Sequence, residues 1–121
     1  MIGSDRCWTV LSFQRLDVYR CAIEFLALAI DLTAKSPKGY SSLADQLRRS
    51  ALSVPLNIAE AAGRTSDSDA ARHYGIARGS AMECAAIIDA LELLAVMTQT
   101  EHHRATELLG REVAMLTKLC R

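Results

Sequence analysis

A chain of 121 residues that is half apolar, with six aromatic side chains and two prolines, is long enough for one hydrophobic core without metal or disulfide staples. Alanine and leucine carry the apolar load, which is the composition of packed helices. Its 14 basic and 14 acidic residues cancel, which excludes a uniform field for drawing in a polyanion or an anionic membrane; any nucleic-acid role must come from a local patch.

The four cysteines, Cys7, Cys21, Cys84 and Cys120, form no C-x-x-C pair, so a disulfide scaffold and a zinc site are both disfavoured. Asp5 and Arg6 stand where a signal peptide would be apolar. The longest apolar run, Cys21 to Leu32, is interrupted by Glu24 and Asp31 and is too short to span a bilayer. A cytoplasmic protein without a membrane segment is expected.

Residues 1–12, Trp8 included, show no period and are expected to be a flexible arm ahead of a helical domain over 13–121. Helix one is expected from Ser12 or Phe13 to Ala34, with two nearly opposite seams. Leu16, Tyr19, Ile23, Leu26, Ile30 and Thr33 form the first; Val18, Cys21, Phe25, Leu28 and Leu32 form the second. A monomer's surface helix needs one apolar stripe, so Val18 and Phe25 are candidates for a subunit interface. Ser36-Pro37-Lys38-Gly39 ends the helix, and Ser41 or Ser42 is placed to cap the next.

Helix two, about Ser42 to Ala62, buries Leu43, Leu47, Ala51, Val54, Ile58 and Ala62 and carries a polar stripe of Arg49, Ser53, Asn57, Glu60 and Arg64. A second apolar strip, Leu52, Leu56, Ala59 and Gly63, adds Leu52 and Leu56 to the interface candidates. Pro55 predicts a kink near Ala51 or Leu52, costing on the order of 3 kcal/mol unless packing compensates; two short helices are the alternative. Gly63 is expected in the left-handed position that stops the helix, and Ser66 or Asp67 caps helix three.

Helix three is expected over about Asp67 to Met97, with an inner seam from Ala70 through Cys84 to Ala95 and an outer seam containing Gly75, Gly79 and Met82. Two glycines cost roughly 1 kcal/mol each in helix propensity, a cost that makes sense if a neighbouring helix packs there. Thr100 is a candidate cap for a final helix to about Leu119, with Ala105, Leu108, Leu109, Val113, Leu116 and Cys120 inward. The expected fold is an all-α, antiparallel up-down-up-down four-helix bundle with a kinked second helix, whose extra apolar seams make it a subunit of a larger assembly.

No catalytic signal rises above background. Glu24, Glu60, Glu83, Glu92 and Glu107 are not followed three residues on by histidine, so the paired Glu-x-x-His element of di-metal bundles is not formed by them. His102 and His103 read as solvated, and His73 as a satisfied structural histidine. Ser80 lacks the strand-turn-helix setting of an activated serine, and no glycine loop of phosphate-binding form occurs. Neither a metal nor any other cofactor is expected, and the chain reads as a non-enzyme.

Two readings of the polar residues remain. In the first, Asn57, Glu60, Ser80 and Glu83, with Arg64 and Arg78, form a hydrogen-bonded network that fixes helix register. In the second, Arg48, Arg49, Arg64, Arg72 and Arg78 form a patch for nucleic-acid phosphates, multiplied if a ring repeats it around an axis.

The blocks Leu47-Arg48-Arg49-Ser50-Ala51 through Val54-Pro55-Leu56-Asn57-Ile58-Ala59-Glu60 to Arg64, then Tyr74-Gly75-Ile76-Ala77-Arg78-Gly79-Ser80 with Glu83, carry a resemblance. With Phe13-x-x-Leu16-x-Val18-Tyr19, they resemble the bacterial four-helix-bundle proteins related to those encoded by intervening sequences of 23S ribosomal RNA genes. Ala61 departs from the pattern, which usually has glycine there. The resemblance implies a homo-oligomer, with pentameric rings known among such proteins. It also implies kinship in fold with the accessory variability protein of diversity-generating retroelements, a more basic barrel that binds nucleic acid and a reverse transcriptase. The expectation is a non-enzymatic scaffold or adaptor that binds RNA or DNA through the arginine patch. The alternative is a protein-interaction module, with another protein as partner, whose arginines are consumed by salt bridges.

Overall fold

The computed structural model describes residues 11–121, and all regular structure within them is helical. Trp8, Cys7 and most of the expected arm lie outside the described residues. A 3₁₀ turn at Ser12–Arg15 precedes four helices: α1 Asp17–Ala34, α2 Ser41–Ala62, α3 Asp67–Leu93 and α4 Gln99–Leu119.

The expected start of helix one at Ser12 or Phe13 is corrected. Gln14 Oε1 accepts from the Leu11 amide at 2.9 Å, closing a separate turn, and Leu16 is extended (ψ 132°), so α1 begins only at Asp17. Helix α2 runs unbroken through Pro55, which rules out the two-helix alternative; the ring is itself buried, and its packing offsets the missing hydrogen bond. Tyr40, not Ser41 or Ser42, occupies the cap position, reached through Gly39 at φ +102°. Only glycine takes that conformation without strain. Gly63, by contrast, is right-handed (φ −86°), so the expected left-handed stop is absent. Its amide instead donates to the carbonyls of Ala59 and Glu60, at 3.2 and 3.1 Å.

Ser66 caps α3 as expected, its hydroxyl accepting from the Asp69 amide at 3.2 Å. The helix stops at Leu93, short of Met97, because Ala95 turns left-handed at φ 59°. The Ala95 amide donates to the Glu92 carbonyl (3.0 Å) and the Val96 amide to the Leu91 carbonyl (3.1 Å), the Schellman pattern with alanine where glycine is usual. Thr98, not Thr100, caps α4: its Oγ accepts from the Glu101 amide at 3.1 Å while Glu101 Oε1 accepts from the Thr98 amide at 2.8 Å.

Each helix packs on two neighbours, α1 on α2, α2 on α3, α3 on α4, and α4 back on α1. Cross-helix bonds run in opposite senses along each pair they join: Gln46 to Glu83, Ser53 to Ser80 and Asn57 to His73; Cys21 to Leu108 and Glu24 to Arg104; Arg78 to Thr117 and Asp89 to His102. Phe25, Leu47, Ile58, Ile88, Leu108 and Leu116 fill the centre, each at most 1% exposed and each contributing roughly 1.5–3 kcal/mol of burial.

Val18 and Phe25 are therefore core residues (2% and 1% exposed), not members of an outer seam. On α1 it is Ile23 and Ile30 that face out, at 39% and 51%. Periodicity identified two seams correctly but could not say which pointed inward. Leu52, Leu56 and Met82 are exposed, and a Cβ added at Gly75 or Gly79 would meet nothing within 4 Å. Among the described residues nothing packs on the glycine seam.

Candidate functional site

The polar stripe of α2 meets α3 in a directed chain of hydrogen bonds. Asp69 Oδ1 accepts from Arg72 Nε and Nη2, both at 3.2 Å, and Arg72 Nη2 lies 3.1 Å from His73 Nε2. A guanidinium only donates, so Nε2 must accept and the neutral ring carries its proton on Nδ1. That Nδ1–H donates to Asn57 Oδ1 at 3.2 Å. Asn57 Nδ2 in turn donates to the Ser53 carbonyl (2.9 Å) and to Ser53 Oγ (3.1 Å), and the Ser53 and Ser80 hydroxyls share a hydrogen bond of 2.8 Å.

The chain's effect is to fix one α2–α3 register, since a slip by one residue breaks several bonds at once. Asn57 and Ser80 thus belong to the network, as expected. Glu60 and Glu83 do not: Glu60 pairs along its own helix with Arg64 at 2.6 Å, and Glu83 accepts from Gln46. Arg78, expected to complement the stripe, turns to α4 and donates to Thr117 Oγ1 at 2.8 Å. His73 and Ser53 complete the network; His73 is buried, as a satisfied structural histidine should be.

The five candidate arginines do not form one patch. Arg49 and Arg64 are 15 positions apart on the strand of sequence that builds α2 and its end, about 22 Å at the helical rise. Arg48 is held by Asp45, Arg64 by Glu60 and, at 3.6 Å, by Asp69, and Arg72 by Asp69. Among the described residues Arg49 has no acid partner; it lines a polar groove with Ser41, Ser42, Asp45 and Gln46.

Folding separates charges that cancel in the sequence. At the pole formed by residues 11–20, 60–78 and 111–121, eight Arg and Lys face five acids, one of which is the buried Glu112; the remaining described residues carry five against eight. The bundle is neutral overall but basic at one end and acidic at the other, a field that net charge conceals.

Glu112 has no counterpart among the sequence expectations. It occupies the centre of the inward stripe Ala105, Leu108, Leu109, Glu112, Leu116, is 0% exposed, and among the described residues neither carboxylate oxygen has a hydrogen-bond partner. Burial pushes its pKa up to about 8. The three-four spacing of α4 would have found it had a charged residue been allowed on the apolar face. Two thiols lie close enough to feel it: Cys84, pushed up to about 12 first by burial and then by Glu112, and Cys21, raised in the same order. His102 is corrected too, held between Asp89 (3.1 Å) and Glu92 (3.3 Å) of α3 and not simply solvated. Among the described residues no group of three or more His, Cys, Asp or Glu is placed to hold a metal ion, and no helix is long and apolar enough to cross a membrane.

Comparison with known proteins adds a family. The profile of the 23S rRNA-intervening sequence protein matches residues 14–118. Among solved structures, the fold is similar to that of a protein of unknown function from the S23 ribosomal protein family of Bacteroides thetaiotaomicron, with a TM-score of 0.79 and 20% identity, covering 86% of this chain and 98% of the other. No curated protein matches.

Proposed function

The chain belongs to the 23S rRNA-intervening sequence protein family, and from that footing we propose that it is a non-catalytic helical scaffold that assembles with copies of itself and carries nucleic acid on the assembly. The observation that carries the reading is apolar surface on two sides of one folded subunit. Ile23 and Ile30 lie on α1 away from the Cys21 and Glu24 edge that meets α4, and Leu52 and Leu56 lie on α2 away from the Asn57 edge that meets α3. Both groups look out from the α1–α2 side. Across the bundle, Met82 with Ala85, Thr106, Leu109, Gly110 and Val113 lines a mostly apolar groove of about 240 Å³ between α3 and α4.

Two unlike apolar surfaces on opposite sides favour a head-to-tail contact, which closes into a ring when the rotation permits. Five subunits is the number the family resemblance implies. Light scattering of the purified chain tests the reading: the expected result is a discrete assembly whose mass is a fixed multiple of 13.2 kDa, and a well-folded monomer at high concentration would overturn it.

A specific observation favours a second reading, a protein-interaction module. Arg48, Arg64 and Arg72 are all engaged by acids of the same chain. A salt titration separates the two, because phosphate contacts weaken steeply as salt rises, whereas the module binds no nucleic acid at any salt.

A further inference from the structure

Besides Arg49 on α2, the cations with no acid partner among the described residues lie off that helix. Arg104, Arg111 and Lys118 recur every seven residues, one stripe along the outer face of α4. Arg104 is paired with Glu24 and Glu107, which fixes that stripe beside α1; Arg111 and Lys118, both exposed, have no acid within 4 Å among the described residues. Alongside them, at the start of α1, stand Arg15 and Arg20. The side-by-side placement is set by a groove that Leu16 and Val18 share with Met115, Lys118 and Leu119. Among the described residues, Arg20 donates only to the Gln14 carbonyl, at 3.4 Å, and neither it nor Arg15 has an acid partner. Arg121 extends the strip past the end of α4. Among the described residues, Asp17 is the one exposed acid at this corner that no cation engages.

We infer that this strip, Arg15, Arg20, Arg111, Lys118 and Arg121, is the surface that meets a nucleic-acid phosphate backbone. It rests on the nucleic-acid part of the proposed function and moves the contact from α2 to the α1–α4 corner. Exposed cations already satisfied by carboxylates release fewer counterions on meeting phosphate than cations facing only water, so the unpaired strip contributes more to binding than Arg48, Arg64 or Arg72. The residues come from the two ends of the chain, and no sequence window contains them.

The test measures binding of the full chain to a fluorescein-labelled single-stranded RNA of mixed sequence, with the duplex DNA of the same sequence as a second arm. Wild type is compared with Arg111→Gln/Lys118→Gln, Arg111→Lys/Lys118→Arg and Arg48→Gln/Arg49→Gln, each checked for helicity by circular dichroism. The neutral α4 pair is expected to weaken binding about tenfold at low salt and to lower the log–log salt slope by about 1.4 for single strands. The charge-conserving pair should bind as wild type, and the α2 pair within about twofold of it. If the α2 pair abolishes binding while the α4 pair does not, this assignment falls and nucleic-acid binding stands. If wild type binds neither probe at low salt, both fall.

Discussion

The Cys21 thiol on α1 donates to the Leu108 carbonyl on α4 at 3.3 Å, tying the first helix to the last one turn before Glu112. That bond borders the most costly residue of the core. A carboxyl without partners in an apolar interior is tolerated because it stays protonated.

The pH dependence follows from Glu112. Its folded pKa, about 8, lies above the ordinary 4.5, so between those values the native chain holds a proton that the unfolded chain releases. Stability is therefore greatest, as far as this group is concerned, below pH 4.5 and falls as pH rises toward 8, by an amount on the order of a few kcal/mol. Urea melts of wild type and Glu112→Leu from pH 5 to pH 9 should diverge, the variant gaining most at the alkaline end. Parallel curves would mean that the carboxyl finds a partner or water in solution.

Ala95 should be improvable. It sits at φ 59°, a conformation that disfavours any side chain with a Cβ, while its amide and that of Val96 close the end of α3. Ala95→Gly is expected to raise stability by about 1 kcal/mol, measured as a shift in urea midpoint with unchanged slope. Thr98→Ala, which removes the Glu101 cap three residues later, should lower it by about 1 kcal/mol.

Gly79 separates subunit from assembly. Within one chain an added methyl meets empty space, so Gly79→Ala should stabilise the folded subunit by roughly 1 kcal/mol through helix propensity. If a second copy approaches that seam, the same change should weaken the assembly, seen as a larger dissociation constant in sedimentation. Unaltered association would exclude the Gly75 and Gly79 face from the contact.

Thiol reactivity should rank by burial. Cys84 and Cys21 are buried with raised pKa values, so both should resist iodoacetamide until the bundle opens, whereas Cys120, half-buried, should alkylate first among these three. Peptide mapping after timed labelling reads the order.

Much of the architecture was legible in the residues because alanine, leucine and isoleucine recur at three-four spacing and the loops carry Gly39, Ser66 and Thr98. What failed has specific causes. Two opposite seams on α1 are equivalent to periodicity, and only packing against Phe25 and Ala29 breaks the tie. Gly63 looks like a left-handed stop, yet the chain ends α2 without one, while Ala95 adopts that conformation without the expected glycine. Spacing puts Asn57 on the polar stripe of α2 and Ser80 on α3, but their links through His73 and Ser53 emerge only from the α2–α3 register. The basic corner is invisible in any sequence window because the start of α1 and the end of α4, distant in the chain, share one groove.

The groove shared by Leu16, Val18, Met115 and Leu119 has a further implication. Since the first and last helices open side by side at one pole, a circular permutant that links those ends and is cut in the Lys38–Gly39 turn should keep all four helices. Reporters placed at the two ends of the folded body would sit close together and separate only when α4 peels from α1.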